Sequence, residues 1–306
     1  MIFDLHVHTN ESDGKYSKLT LLKYANDKKF EAIAFCDHNI CNNVNANIIN
    51  ERFKREYGTD SKTIFIPAIE IDAYNDIYRR IHILGYGIVN TSLIMEQLER
   101  IKKQNVIATK RQIELINQLY NTKLTEEYVE LIEGTKDISA EGLKKALINL
   151  GIAKDIRDTY RYVSYSSNTH VERKKLTDKE TIKLIKAAGG VAILAHPIEI
   201  SNKKTKEKLG HGKEYEQYLE YLIECGIDGV ESHTIKHNRQ EQNDYYNLNK
   251  KFQLISTAGT DFHDETRTPI LGINYNPEIF LYPLLEKIEE RNSEIIKGDN
   301  KKNEER

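Results

Sequence analysis

Short apolar runs rich in Ile, Val and Phe recur at residues 2–8, 31–37, 63–71, 80–87, 190–196, 227–232 and 253–260. Most are separated by stretches of helical period, such as Leu19, Leu22, Tyr24 and Ala25 in the first crossover and Tyr218, Leu219, Leu222 and Ile223 in a later one. Parallel strands need a long crossover between them, usually a helix, and alternating strand and helix satisfies that need. The pattern predicts an α/β chain with a mainly parallel sheet, here closed as a barrel, and 306 residues lie within the range of one such barrel.

The alternation breaks between about 91 and 176. There SLIMEQLERIKK, RQIELINQLY, EEYVELIEG and AEGLKKALINLG all read as helices with no strand between them. The expected organisation is a first barrel part at 1–90, an all-helical insertion at 91–176, a second barrel part at 177–290, and a charged, flexible tail at 291–306.

Composition narrows the function classes. Charged residues are 30% and hydrophobic residues 39%, yet the apolar residues fall in periodic runs, so a sizeable core is expected rather than disorder. A net charge of −2 offers no global attraction for nucleic acid or an anionic membrane. Cys36, Cys41 and Cys225 are odd in number and lack CxxC spacing, which points to a reducing compartment without a disulfide framework. No run approaches 18 apolar residues, and Asp4 and His6 interrupt the first apolar stretch. The cytoplasm is the expected location, with no membrane contact and no obligate protein partner.

Six of the ten histidines fall in short motifs at predicted strand ends, in the order HVH, DH, HILG, AHP and DFH, with acidic residues close by. Side chains of a strand alternate between faces, so His6 and His8 point the same way and can share a metal; Asp261 and His263 repeat the spacing. An isolated HxH pair is more often ordinary surface. Here, however, His6, His8, His38, Glu70, His82, His196, Asp261 and His263 all lie at or just beyond the C-terminal ends of predicted strands, with Asp13 in the first loop. In a parallel barrel those ends converge on one face. Nitrogen and carboxylate donors without cysteine suit Mn, Fe or Zn in an open site.

The segments FDLHVHTNESDGKYS, IAFCDHN, IPAIEIDA, IHILGYG, GGVAILAHP, GVESHTIKHN and STAGTDFH together resemble the successive motifs of the PHP (polymerase and histidinol phosphatase) superfamily, over residues 2–273. The insertion and the string HVERKKLTDKETIKLIKAAGGVAILAHP are similar to the stand-alone phosphoesterase branch with the ribonuclease AM (TrpH-type) 5′-to-3′ exoribonucleases and related nucleotide phosphatases. The resemblance implies a distorted (β/α)7 TIM-like barrel and two to three divalent ions, Mn foremost, with Fe or Zn as alternatives. It implies one ion on His6, His8, Glu70 and Asp261, a second on Asp13, His38 and His263, and a third on Glu70, His82 and His196.

The implied reaction is hydrolysis of a phosphate ester, of a 3′,5′-bisphosphate nucleotide or the 5′ end of short single-stranded RNA, by attack of a metal-bridging hydroxide. His233 and His237 in SHTIKHN, together with Arg267, are candidate phosphate contacts, and His237 is a candidate proton donor to the leaving group. Asp37 either orients an imidazole or serves a turn. Where related enzymes read GRPHIARAL this chain has SAEGLKKAL, so Ala140 and Gly142 stand where the family's phosphate-binding Arg and His are expected. Lys144, Lys145, Arg157 and Arg161 are possible replacements, and Tyr160, Tyr162 and Tyr165 either stack bases or, for two of them, pack the insertion. Alternatives are a small-metabolite phosphatase of the histidinol phosphate kind, a non-catalytic PHP module, and an amidohydrolase-like C–N hydrolase.

Overall fold

The computed structural model describes residues 1–41 and 45–304, with 295–304 described by their backbone alone. The chain forms two compact units, Met1–Met95 with Leu176–Arg306, and Glu96–Lys175.

The larger unit is a nearly closed barrel. In chain order its first half comprises β1 (Ile2–Val7), α1 (Lys18–Asp27), β2 (Ala32–Phe35), α2 (Ala46–Tyr57), β3 (Ile64–Ala73), β4 (Tyr78–Arg79) and β5 (Ile81–Tyr86). A long helix, α3 (Thr91–Tyr120), leads into the smaller unit, which continues through α4 (Glu126–Glu133), α5 (Ala140–Asn149) and α6 (Ile156–Val163). The larger unit resumes with α7 (Asp178–Ala187), β6 (Val191–Leu194), a 3-10 turn at Pro197–Glu199, β7 (Ser201–Asn202), α8 (Lys213–Cys225), β8 (Gly229–Thr234), α9 (Arg239–Lys251), β9 (Ile255–Gly259), β10 (Ile273–Asn274), α10 (Pro277–Phe280) and α11 (Tyr282–Glu304).

The sheet order is β10-β1-β2-β3-β5-β6-β8-β9. Its ends meet where His8 N donates to Phe262 O (2.8 Å) and Phe262 N to His6 O (3.3 Å), just past β9. The short β10 pairs antiparallel with the start of β1, so seven strands make the wall, as the apolar runs predicted. One strand departs from the parallel expectation: β5 is antiparallel to both β3 and β6. Only residues 74–80 separate β3 from β5, too few for a parallel crossover, so the chain must double back. Asn75 fixes the return by accepting from Ile77 N and Tyr78 N.

Strict alternation also fails at two places. The β1–β2 register shifts between Asp4 and Val7; Leu5 joins the inner core with Ala34, Leu84 and Ile193, whereas Val7 packs outward with Leu21, Phe35 and Phe65. A second shift separates Glu231 from His233 on β8. Phe280, Leu281 and Leu284 join the inner core, and truncating such a fully buried leucine to alanine costs about 2–5 kcal/mol.

Two sequence expectations are corrected. The stretches read as separate helices at 92–103 and 111–120 form one helix, α3, because no Gly or Pro interrupts QNVIATK between them. Residues 291–304, expected as a flexible tail, continue α11; Arg291 anchors the helix through Nη2 to Asp228 Oδ1 (2.9 Å). Glu305 and Arg306 lie outside the described residues. The smaller unit has its own core, including Ile113, Ile116, Val129, Leu143, Leu147 and Tyr162.

Candidate metal centre

Eight of the nine expected donor residues fall into three overlapping groups at the barrel mouth, and the ninth, His196, stands beside them. His6, His8, Glu70 and Asp261 form the first, all buried. His8, Asp13, His38 and His263 form the second, and His38, Glu70 and His82 the third. His196, expected in the third set, stands with Nε2 3.1 Å from Glu70 Oε1, the oxygen that also lies 2.8 Å from His82 Nδ1. The expected grouping is thus widened: His8 also faces Asp13, and His38 turns Nδ1 to Glu70 (3.3 Å) and Nε2 to Asp13 (3.9 Å).

His82 reaches the mouth by a different route from the one expected. It sits at the start of β5, opposite Asp72, and because β5 runs antiparallel its N-terminal end lies where the other strands finish. Glu70 lies within the long strand β3 rather than at its end. Two donors occupy left-handed backbone, His196 at φ 22° and Asp261 at φ 54°. Such conformations cost about 1–3 kcal/mol and concentrate at functional sites. Close packing leaves no slack behind His6, since a Cβ added at Gly259 would lie 2.4 Å from the His6 Cβ.

The first group has the dimensions of a coordination shell. His6 Nε2 and His8 Nε2 are 3.3 Å apart; Glu70 Oε2 and Asp261 Oδ1 lie 3.5 Å from His6 Nε2 and 3.1 and 3.0 Å from His8 Nε2. Ligand atoms about 2.1 Å from one ion are separated by about 3.0–3.5 Å, from octahedral to tetrahedral geometry. Several donors also lack a hydrogen-bond partner although buried: His8 Nδ1, His38 Nδ1, His196 Nδ1 and Glu70 Oε2. Buried polar atoms are rarely left so. The residues therefore fit a multi-residue metal site.

Without a cation the groups hold one another charged. Burial works against the His6 imidazolium, but Glu231, Glu70 and Asp261 outweigh it and raise its pKa well above the usual value. Burial likewise opposes charge on His8, yet Asp261 and Glu70 lift it to about 9. For Glu70, burial favours the neutral acid, but His6, His82 and His196 keep it well below the carboxylate range. Asp261 and Asp13 are also depressed, against burial, by their histidine neighbours.

The remaining sequence candidates separate clearly. Among the described residues Asp37 hydrogen-bonds to no imidazole: it accepts from Thr9 N (2.8 Å), Thr9 Oγ1 (2.7 Å) and Ser12 Oγ (2.8 Å), and so braces the loop that carries Asp13. Arg267 lies at the centre, with Nη1 2.8 Å from Asp13 Oδ2. His233 does not join the donors. The register shift after Glu231 lets its ring pack on Phe280, Tyr275 and Tyr246, and burial pushes its pKa down to about 4.

His237 is buried, with Nδ1 2.8 Å from Ser232 O and Nε2 unpaired. Burial lowers its pKa, so Nδ1–H donates to Ser232 and Nε2 is an acceptor, which opposes the expected role as proton donor. In the smaller unit, Glu133 fills the space beside Gly142, where an added Cβ would lie 2.1 Å from Glu133 Cδ, and its carboxylate accepts from Ser139 N (2.6 Å). Lys144 pairs with Glu141 and Arg161 with Asp158, while Lys145 and Arg157 are exposed. Of the three tyrosines only Tyr162 packs the core; Tyr160 and Tyr165 are exposed.

Sequence reading missed the residues behind the donors. Glu231, fully buried, accepts from His196 N (2.8 Å) and lies 3.1 Å from His6 Nδ1. Asp4 accepts from His6 N, Thr260 N, Thr260 Oγ1 and Gly272 N. Asp72 lies 3.1 Å from His82 Nε2, and Lys236 ties Asp261 to Glu199. The signal was available, because Asp4 and Glu231 are acids inside apolar strands and such charges are buried only with partners.

A strand barrel with a converging histidine–carboxylate mouth has the donors for metal-assisted hydrolysis, and the sequence relatives are named for cleavage of phosphate esters. The chain is 25% identical over 291 residues to a 5′-3′ exoribonuclease of Haemophilus influenzae, covering 93% of this chain and 98% of that protein. It is 25% identical over 281 residues to a phosphoribosyl 1,2-cyclic phosphate 1,2-diphosphodiesterase of Eggerthella lenta, covering 89% and 98%. Its fold matches a crystal structure from Bifidobacterium adolescentis, provisionally assigned as a metal-dependent phosphoesterase, with TM-score 0.64, 22% identity and coverage of 94% and 96%. No family model matches the chain. The chain is thus a homologue of phosphoesterases, in agreement with its PHP-like motifs. Among the described residues, no helix is long and apolar enough to cross a membrane.

Proposed function

We propose that this chain is a metal-dependent phosphoesterase that hydrolyses a nucleotide phosphate ester, of the 3′,5′-bisphosphate type, or the 5′ end of short RNA. The observation that carries the reading is the buried quartet of His6, His8, Glu70 and Asp261, whose facing donor atoms are spaced as ligands of one ion. We assign this quartet to a first divalent ion, Asp13, His38 and His263 to a second, and His82 and His196 with Glu70 to a third. Mn is the favoured ion, and Fe or Zn suits the same donors.

Bound ions would supply Lewis acidity, lowering the pKa of a water from about 15.7 toward neutrality and offsetting phosphate charge. The protein's own part is positional. Glu231 holds the His6 ring, and the Thr9–Asp37–Ser12 contacts hold the loop bearing Asp13. Arg267, beside Asp13, is a cation available to a phosphate oxygen, and His237 Nε2 offers an acceptor for a substrate hydroxyl. The two curated relatives are named for RNA and for a cyclic phosphoribosyl ester, and both reactions break a P–O bond. The second of these supports a small-metabolite phosphate ester as the alternative substrate.

The test is metal analysis of the purified protein, followed by turnover of 3′,5′-bisphosphonucleosides, short 5′-phosphorylated RNA, cyclic phosphoribosyl esters and histidinol phosphate, with wild type and His196→Ala. Release of phosphate or mononucleotide that requires Mn or a similar ion is the expected result. A protein that binds no cation at saturation, or turns over every ester equally with chelator present, rules the reading out.

A further inference from the structure

The smaller unit lacks the cations that the family motif led us to expect at Ala140 and Gly142, and a different cation stands inside the barrel mouth. Lys236, in the turn between β8 and α9, places Nζ 2.5 Å from Asp261 Oδ2 and 3.1 Å from Glu199 Oε2. Asp261 divides its two oxygens: Oδ1 faces the Nε2 atoms of His8 and His6, while Oδ2 faces Lys236. The lysine therefore lies at the edge of the donor quartet without taking a donor's place.

Three features leave it able to contact a ligand as well as to brace the two carboxylates. An ammonium has three N–H groups, and the two carboxylates use two of them, which leaves one for a third acceptor. The side chain is 30% exposed, so solvent and solutes reach it. Its backbone is fixed at both ends of the turn: His237 N donates to Thr234 O (3.1 Å), and Asn238 caps α9 in a reciprocal box with Glu241. Without the lysine, a dianion approaching from this side would meet the bare carboxylates of Asp261 and Glu199.

We propose that Lys236 is a phosphate-contacting residue of the barrel mouth, donating its third N–H to a non-bridging oxygen of the substrate's phosphate and supplying a cation where positions 140 and 142 have none. With Arg267 on Asp13, the centre then carries two cations, one beside each of two proposed ligand carboxylates. The proposal rests on the metal-dependent phosphoesterase reading, and its test separates the two.

Inorganic phosphate is titrated calorimetrically into Mn-saturated wild type, Lys236→Met and Lys236→Arg, after Mn binding has been measured for each. Thermal melting confirms folding. We expect Lys236→Met to keep the wild-type Mn stoichiometry and to bind phosphate about tenfold or more weakly, as for loss of a charge-assisted hydrogen bond, with Lys236→Arg recovering most of the affinity. KM for a phosphate ester should rise in Lys236→Met by a similar factor. Equal phosphate affinity in wild type and Lys236→Met overturns the proposal and leaves the function standing. Loss of bound Mn in Lys236→Met also overturns it, because the lysine would then act only by orienting Asp261. A wild type that binds neither Mn nor phosphate removes both readings. If Lys236→Met does not fold, the comparison is made with Lys236→Gln and Lys236→Arg, and unaltered phosphate affinity in the glutamine variant is the overturning result.

Discussion

His6 Nδ1 lies 3.1 Å from Glu231 Oε1, while the opposite nitrogen of the same ring faces Glu70 and Asp261. Both residues are fully buried. A carboxylate behind an imidazole fixes its tautomer and raises its basicity toward whatever the other nitrogen holds. Glu231 also accepts from His196 N, so one side chain sets the position of two proposed ligands. Glu231→Gln should leave a folded protein whose affinity for Mn falls by about 10–100-fold. Unchanged affinity by calorimetric titration would show that the contact is only packing.

Glu70 is the hub of the centre. Its carboxylate lies within 3.5 Å of His6, His8, His38, His82 and His196. Glu70→Gln keeps the shape and removes the charge that lies between the proposed ion positions. Metal content per chain, by elemental analysis after dialysis against Mn, should drop by at least one ion, and phosphoesterase turnover should be lost with it. Full occupancy in the variant contradicts the proposed ligand sets.

The raised pKa of His8 makes cation binding pH-dependent. A ligand imidazole must give up its proton, and in the metal-free protein this one titrates near 9 against 6.5 unperturbed. Apparent affinity for a divalent ion should therefore rise with pH up to about 9 and then level. Stability of the metal-free protein should move the other way. A histidine raised on folding stabilises fully below its unfolded pKa of 6.5, and that contribution is lost as pH climbs through about 9. Chelator-treated protein should melt lower at pH 9 than at pH 6.5, and the opposite order would disprove the charge arrangement.

Asp4 tests stability apart from metal. Burial pushes its carboxyl up to about 6, against the pull of four donors: Oδ1 accepts from His6 N and Thr260 N, and Oδ2 from Thr260 Oγ1 and Gly272 N. An amide cannot accept at both positions, so Asp4→Asn turns one bond into a donor–donor contact. The expected cost is about 1–3 kcal/mol in denaturant unfolding of the metal-free protein. A variant as stable as wild type would mean that the local structure relaxes around the amide.

The strands and the cluster of candidate donors were legible in the sequence because both depend on local chemistry. Apolar runs of strand length and the HVH and DFH spacings follow from a side-chain period of two, which any strand imposes. Their convergence was also foreseeable, since barrel strands finish on one face. Direction and register were less so. The short link at 74–80 did contain the reversal of β5, yet the shifts after Asp4 and Glu231 have no local mark, and it is the second of these that takes His233 away from the donors while Glu231 stays with them.

The chain's sequence alone thus determined which nitrogen- and carboxylate-bearing residues arrive on one side of a barrel. Only the tertiary structure decided the network behind them, with Glu231 on His6, Asp37 on the Thr9 loop, Asp4 on Thr260 and Lys236 on Asp261. The reason is physical: a donor motif is written in neighbouring residues, whereas a buried charge finds its partner across the barrel, where sequence separation carries no information about distance.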